Sequence, residues 1–171
     1  MVRTLEELKP DVNSHIRAIS DFPKPGINFR DVMPLMAQPS LMGELCAAIA
    51  EHYRKLGGVD LIAGLEARGF LFGPQVAILL NVPFVPIRKK GKLPGEDIVE
   101  VQKGVVREGQ RVAIVDDLLA TGGTMKAAIE LMRSTGATVV EAFVLIELTP
   151  LNGRAVISDV PVNALLSYNE A

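Results

Sequence analysis

Residues 112–124, VAIVDDLLATGGT, constrain this chain more than any other stretch. A β-branched apolar run ends in two adjacent carboxylates, Asp116 and Asp117. A short loop leads through Ala120 to Thr121, Gly122, Gly123 and Thr124, after which Met125, Ala128, Ile129 and Met132 recur with helical period. The order is strand, acidic pair, glycine-bearing turn, helix start. Glycines let backbone N–H groups come close to a ligand, and a helix start carries a partial positive charge, so such a turn cradles a phosphate. Two carboxylates beside it would repel a bare polyphosphate; they suit sugar hydroxyls or a hydrated divalent cation. A phosphorylated sugar satisfies both halves. The plainer alternative is an ordinary βα turn with acids at a strand end. A nucleoside triphosphate loop needs Lys after the last glycine, where this chain has Thr124, and no GxGxxG follows an expected strand.

A chain of 171 residues is long enough for one domain with a substantial core. A net charge of −2 argues against a nucleic-acid-coating surface. No apolar run approaches a membrane span, and the charged start MVRTLEELKP has no apolar signal core. Cys46 is the only cysteine, so an internal disulfide is impossible and a cytoplasmic protein is expected; Cys46 itself reads as a small packed residue. His15 and His52 lack metal-ligand spacing and read as surface helix residues.

Along the chain, Pro10 suits a helix start, with residues 11–19 helical. Residues 21–34, DFPKPGINFRDVMP, read as an ordered loop. Helices are expected at 39–56, 69–80 and 124–134, and strands at 61–64, 84–87, 98–102, 111–115, 139–146 and 164–166. This alternation describes an α/β fold with a mostly parallel central sheet flanked by helices, whose ligands bind at the carboxyl ends of the strands.

Two further segments carry chemistry. In GLEARGFLFGP, residues 64–74, Arg68 lies between a strand and a helix, flanked by Gly64 and Gly69. A guanidinium beside free backbone N–H groups makes an anion site, although a solvent-facing arginine at a helix start would look the same. In IRKKGKLPG, residues 87–95, Arg88, Lys89, Lys90 and Lys92 follow a strand directly. A solvated charge run is the usual meaning of such a cluster. Three strand ends bearing anion- or diol-binding groups are better explained together, as one site for a polyanion.

These segments, with DFPKPGINFRD (21–31) and ELTPLNGR (147–154), closely resemble the adenine phosphoribosyltransferases, a branch of the type I phosphoribosyltransferase family, over nearly the whole chain. VAIVDDLLATGGT alone marks only the broad family; its combination with RGFLFGP and RKKGKLPG is specific to the branch. The resemblance implies one phosphoribosyltransferase domain over 1–171, with 1–34 as N-terminal helix and small hood. It implies transfer of phosphoribosyl from phosphoribosyl pyrophosphate to adenine, giving AMP and pyrophosphate with Mg²⁺ held mainly through substrate, in a homodimer. By the same resemblance, Ala120, Thr121, Gly122, Gly123 and Thr124 hold the 5-phosphate, and Asp116 and Asp117 face the ribose diol. Glu66, Ala67, Arg68, Arg88 and Lys92 receive pyrophosphate, and Ile27, Asn28 and Arg30 hold adenine against Leu148. Core packing is the competing explanation for Ile27 and Leu148. A cis Glu66–Ala67 peptide is implied as well. The consecutive Phe70, Leu71 and Phe72 exceed what one helix face buries, which suits a dimer interface.

One departure stands out. Family members carry a catalytic loop with a Tyr and usually a Glu between GKLP and the EVQ strand. Here Gly95-Glu96-Asp97 joins the two directly, short by roughly a dozen residues and too few for a lid. The join reads either as a deletion or as a segment left out of a continuously numbered chain, and the unscarred continuation GEDIVEVQKG favours the second. A transferase for another base, or a regulator that binds phosphoribosyl pyrophosphate without turning it over, are the rival functions. FPKPG argues against the first, and the lack of a helix-turn-helix pattern against the second.

Overall fold

The computed structural model describes residues 2–22, 24–89, 99–157 and 159–170. Helix α1 spans Leu5–Ser14, five residues before the start expected at Pro10. Thr4 and Glu7 form a reciprocal capping box that fixes the start, and Leu8 and Val12 bury one face, so Pro10 falls inside the helix. Strands β1 (Arg17–Ser20) and β2 (Asn28–Asp31) replace the expected helical tail and loop, pairing antiparallel as a two-stranded sheet of their own. Pro25 and Gly26 lie between the strands, where Gly26 has φ +85° and donates its N–H to Asp21, and Pro34 lies beyond β2. They therefore do not interrupt the strands, and the sequence signal was misleading there.

Helices α2 (Met33–Met36) and α3 (Pro39–Lys55) lead to β3 (Leu61–Leu65). The helix expected at 69–80 is split: a 3₁₀ turn, Arg68–Leu71, precedes α4, Gly73–Leu80. Both pieces pack closely on the sheet: a Cβ on Gly69 would meet the Val115 carbonyl oxygen at 2.6 Å and one on Gly73 would meet the Phe84 ring at 2.6 Å. Then follow β4 (Phe84–Lys89), β5 (Val99–Glu100), β6 (Arg111–Leu119), α5 (Gly123–Ser134), β7 (Thr138–Leu148), α6 (Gly153–Val156) and β8 (Val162–Tyr168).

Among the described residues six strands form one sheet in the order β5-β4-β3-β6-β7-β8, parallel throughout except for β5. The α/β architecture expected from the sequence is thus present. Side chains alternate along β6: Ala113 and Val115 join α1, α3 and α4 on one face, whereas Val112 and Ile114 join Met125, Ala128, Ile129 and Met132 of α5 on the other. Cys46 is buried in the first of these cores, as expected. His52 is not a free surface residue. Its Nε2 lies 2.9 Å from both oxygens of the buried Glu141, and its side chain is only 24% exposed. His15 closes the end of α1. Among the described residues no helix is long and apolar enough to cross a membrane.

Candidate active site

The site arises from unequal strand lengths. Pairing of β3 with β6 ends at Gly64 and Val115, while β6 runs on against β7 alone, with Asp116 beside Val144 and Leu119 beside Glu147. The strand expected to stop at Val115 therefore includes the acidic pair, which emerges where β3 turns away. Into the space left by β3 comes the loop Glu66, Ala67 and Arg68. Its Glu66–Ala67 peptide is cis, as the resemblance implied.

The two aspartates differ. Asp117 is 4% exposed and accepts a very short hydrogen bond from Arg68 Nε; Asp116 is half-buried and accepts the Asp117 N–H at 2.8 Å. They are not the freely exposed carboxylates that a strand end suggests. Burial, reinforced by the negative charge of Asp117, pushes the Asp116 carboxyl up to about 8. Arg68 is the cation at hand for both. Its removal in Arg68→Met is expected to destabilise the fold by about 2 kcal/mol. That is below the usual figure for a broken buried pair because the guanidinium is itself partly solvated. Urea melts check this, and Arg68→Met combined with Asp117→Asn should regain most of the loss, because no unpaired charge then remains buried.

Glu66 ties the loop to the cationic strand end: its Oε2 accepts the Lys89 N–H at 2.8 Å and its Oε1 lies 3.4 Å from Arg88 Nη2. On the opposite rim, Gly122 adopts φ +84° and α5 begins at Gly123 with no side-chain cap. The N–H groups of its first turn have no intrahelical acceptor and are available to an anion. Gly122 is obligatory for a second reason, since a Cβ there would meet the Gly153 carbonyl oxygen at 2.5 Å.

A cavity of about 430 Å³ joins these parts. It is lined by Glu66, Ala67, Arg68, Asp116, Asp117 and residues 118–125, with Lys89 beside them. Of the residues expected at the site, the aspartates, the Arg68 loop and the entire Ala120, Thr121, Gly122, Gly123, Thr124 turn meet here. Arg88 reaches it only through Glu66. Lys90, Lys92 and the Gly95-Glu96-Asp97 joint lie outside the described residues.

Ile27, Asn28, Arg30 and Leu148 do not line this cavity. The first three belong to the hairpin, where Ile27 is 40% exposed, so hairpin core packing does not explain it. Asn28 and Arg30 each reach Glu170 at 3.3 Å, and the Arg30 guanidinium lies 4.2 Å from the centre of the Tyr168 ring. Two residues with no role in the sequence reading contribute: Lys89, one of the cation run, lines the cavity, and Gly153 of the NGR segment packs against the phosphate turn. Phe72 is buried by its own chain and Phe70 stacks edge-on against Phe84, leaving only Leu71 of the triplet exposed.

An open-sheet cavity with an acidic pair facing a capless, glycine-turned helix start is the arrangement of a sugar-phosphate transferase. The phosphoribosyl transferase domain model matches residues 36–164. Adenine phosphoribosyltransferase of Caenorhabditis elegans is 56% identical over 179 residues, taking in 97% of each chain; that of Homo sapiens is 44% identical over 171 residues, 92% of this chain and 95% of the other. Among solved structures, the Saccharomyces cerevisiae enzyme complexed with an imino-altritol bisphosphate and adenine superposes with TM-score 0.88 at 40% identity, covering 93% of this chain and 98% of the other. Adenine phosphoribosyl transferase of Trypanosoma brucei, in complex with AMP, pyrophosphate and ribose-5-phosphate, gives 0.85 at 30% identity, over 94% and 79%. The chain belongs to the adenine phosphoribosyltransferase family.

Proposed function

We propose that this protein transfers the 5-phosphoribosyl group of phosphoribosyl pyrophosphate to adenine, releasing pyrophosphate and forming AMP in purine salvage. The observation that carries the reading is the convergence of the acidic pair, the Arg68 loop and the glycine turn on one cavity. The turn of Ala120, Thr121, Gly122, Gly123 and Thr124 receives the 5-phosphate on backbone N–H groups. That leaves the ribose over Asp116 and Asp117, which accept hydrogen bonds from its hydroxyls. Arg68 and Lys89, which line the cavity, receive the pyrophosphate with Arg88 behind Glu66; Lys92 is assigned to the same group by the family resemblance.

As the bond from the anomeric carbon to pyrophosphate breaks, the sugar ring becomes cationic and the leaving group gains charge; a bond from an adenine ring nitrogen forms and that nitrogen's proton is lost. Fixed carboxylates beneath the ring and fixed cations around the leaving group favour this separation of charge without reorganising during the reaction. Holding both reactants in line contributes the rest. Residues 1–34 supply the N-terminal helix and the hood over the base, with Ile27, Asn28 and Arg30 on one side and Leu148 on the other.

Mg²⁺ fits as a companion of the substrate. The cavity carboxylates are already committed: Asp117 to Arg68, Asp116 to a backbone N–H, Glu66 to Lys89 and Arg88. They suit the water shell of an ion held by phosphate oxygens better than a cage of direct ligands. When bound, the ion supplies positive charge to the departing pyrophosphate. A cytoplasmic homodimer completes the proposal, with the exposed Leu71, Ile78 and Leu79 offering apolar surface for the partner.

The test is a side-by-side assay of phosphoribosyl transfer to adenine, hypoxanthine, guanine and orotate. Adenine should be preferred by at least roughly 100-fold in kcat/KM, since a site built to pair an amine rejects its oxo analogue strongly. Preference for another base, or tight binding of phosphoribosyl pyrophosphate with no transfer to any, would overturn the assignment.

A further inference from the structure

The β1–β2 hairpin shares no strand pairing with the six-stranded sheet, yet the proposed base site needs its residues held against Leu148 at the end of β7. The described residues show what spans the two. Tyr168, the last residue of β8, is the register partner of Leu148. Its ring lies under the Arg30 guanidinium at 4.2 Å, and its hydroxyl donates to Asn13 Oδ1 of α1 at 2.7 Å. Two residues on, Glu170 meets both Asn28 Nδ2 and Arg30 Nη2 at 3.3 Å. The connecting segment is pinned in turn: Thr149 Oγ1 lies 3.1 Å from the Tyr168 carbonyl oxygen and 2.8 Å from Asn169 Oδ1.

We propose that Tyr168 and Glu170 are positioning residues for the purine site, latching the hairpin strand that carries Asn28 and Arg30 to the strand end that carries Leu148. This inference rests on the adenine reading above. Two details make the latch more than surface decoration. The Arg30 side chain is only 13% exposed, so its guanidinium is held in a fixed place. Arg30 Nε and Asn28 Oδ1 are closed off from solvent and have no hydrogen-bond partner among the described residues. The orientation of both side chains therefore depends on the ring beneath one and the carboxylate shared by both. Glu170 is 74% exposed, which makes its ion pair the weaker element, so the ring is expected to dominate. A guanidinium over a partly desolvated aromatic ring shifts an equilibrium by a few-fold to about thirtyfold.

The experiment compares Tyr168→Leu, Tyr168→Phe and Glu170→Gln with the parent chain. Tyr168→Leu should raise the KM for adenine roughly tenfold, by loss of the ring contact, with the KM for phosphoribosyl pyrophosphate unchanged. Tyr168→Phe keeps the ring and should restore most of the affinity; Glu170→Gln should have a smaller effect that disappears at high salt. A second readout needs no turnover. Amide hydrogen exchange over residues 28–31 should accelerate in Tyr168→Leu, while β3 and β6 keep their protection.

Unchanged exchange in the hairpin, or adenine and phosphoribosyl pyrophosphate KM values rising together, would overturn the latch. Faster hairpin exchange in a protein that fails to use adenine would instead leave the latch standing and remove the adenine reading.

Discussion

Asp116→Asn is expected to lose roughly 100- to 1000-fold in turnover, because asparagine cannot ionise against the positive charge that develops in the bound sugar, and to gain stability as it does so. In the ligand-free fold, burial and the charge of Asp117 keep the Asp116 proton in place up to about pH 8, whereas the unfolded chain releases it near its ordinary value of 3.8. Between those limits the folded state binds more protons than the unfolded state, so stability falls as pH rises through the window. Asparagine is neutral throughout and escapes that penalty. Its advantage should be absent near pH 4 and grow to a few kcal/mol at pH 8, roughly 5–10 °C in Tm. Melting curves at pH 4, 6 and 8, alongside steady-state assays, test both halves. Equal stability gains at every pH would show that Asp116 ionises normally. Asp117→Asn should lose comparable activity without the stabilisation, because it leaves Arg68 without its partner.

A single methyl outside the cavity should damage substrate binding as well. Gly153→Ala places a Cβ 2.4 Å from the Ala120 carbonyl oxygen and 3.0 Å from the Leu119 side chain. The nearer atom is backbone, so either α6 or the phosphate turn must move. Moving α6 is resisted from below: Arg154 forks onto the buried Glu147 with two contacts of 2.7 Å and donates a further hydrogen bond to the Val162 carbonyl at 2.8 Å. The turn is therefore the part displaced. Misplacement by a fraction of an ångström at a phosphate anchor should weaken phosphoribosyl pyrophosphate binding roughly 10- to 100-fold. Calorimetric titration measures it directly. Affinity equal to the parent's, in a protein that melts normally, would mean that α6 yields instead.

The sheet and its strand ends were legible because their signals are local and redundant. Residues 112–115, VAIV, and 142–146, AFVLI, are apolar runs, and the acids and glycines that follow the first have no comfortable place except a strand-to-helix turn. The hairpin was hidden because Pro25 and Gly26 mark a turn correctly while saying nothing of the strands around it. The early start of α1 is written in the sequence: Thr4 and Glu7 stand at capping-box spacing, a stronger start signal than Pro10. The true burial of Asp117 and the partnership of His52 with Glu141 could not be read. Each depends on a residue distant in sequence, and a one-residue pattern carries no information about its partner. The same holds for Gly153, whose requirement is a backbone contact with a turn some thirty residues earlier in the chain.

The alternation along β6 has a consequence for how the acidic pair behaves. Val112, Ala113, Ile114 and Val115 are all fully buried, facing the two cores in turn, and the strand is hydrogen-bonded on both edges up to that point. Asp116 and Asp117 thus extend from a segment that is fully buried and paired on both edges. Their freedom was surrendered when the chain folded, so little configurational entropy remains to be lost when a sugar settles over them. The pair behaves as a fixture, and adjustment to each substrate falls to the loops and the hairpin around it.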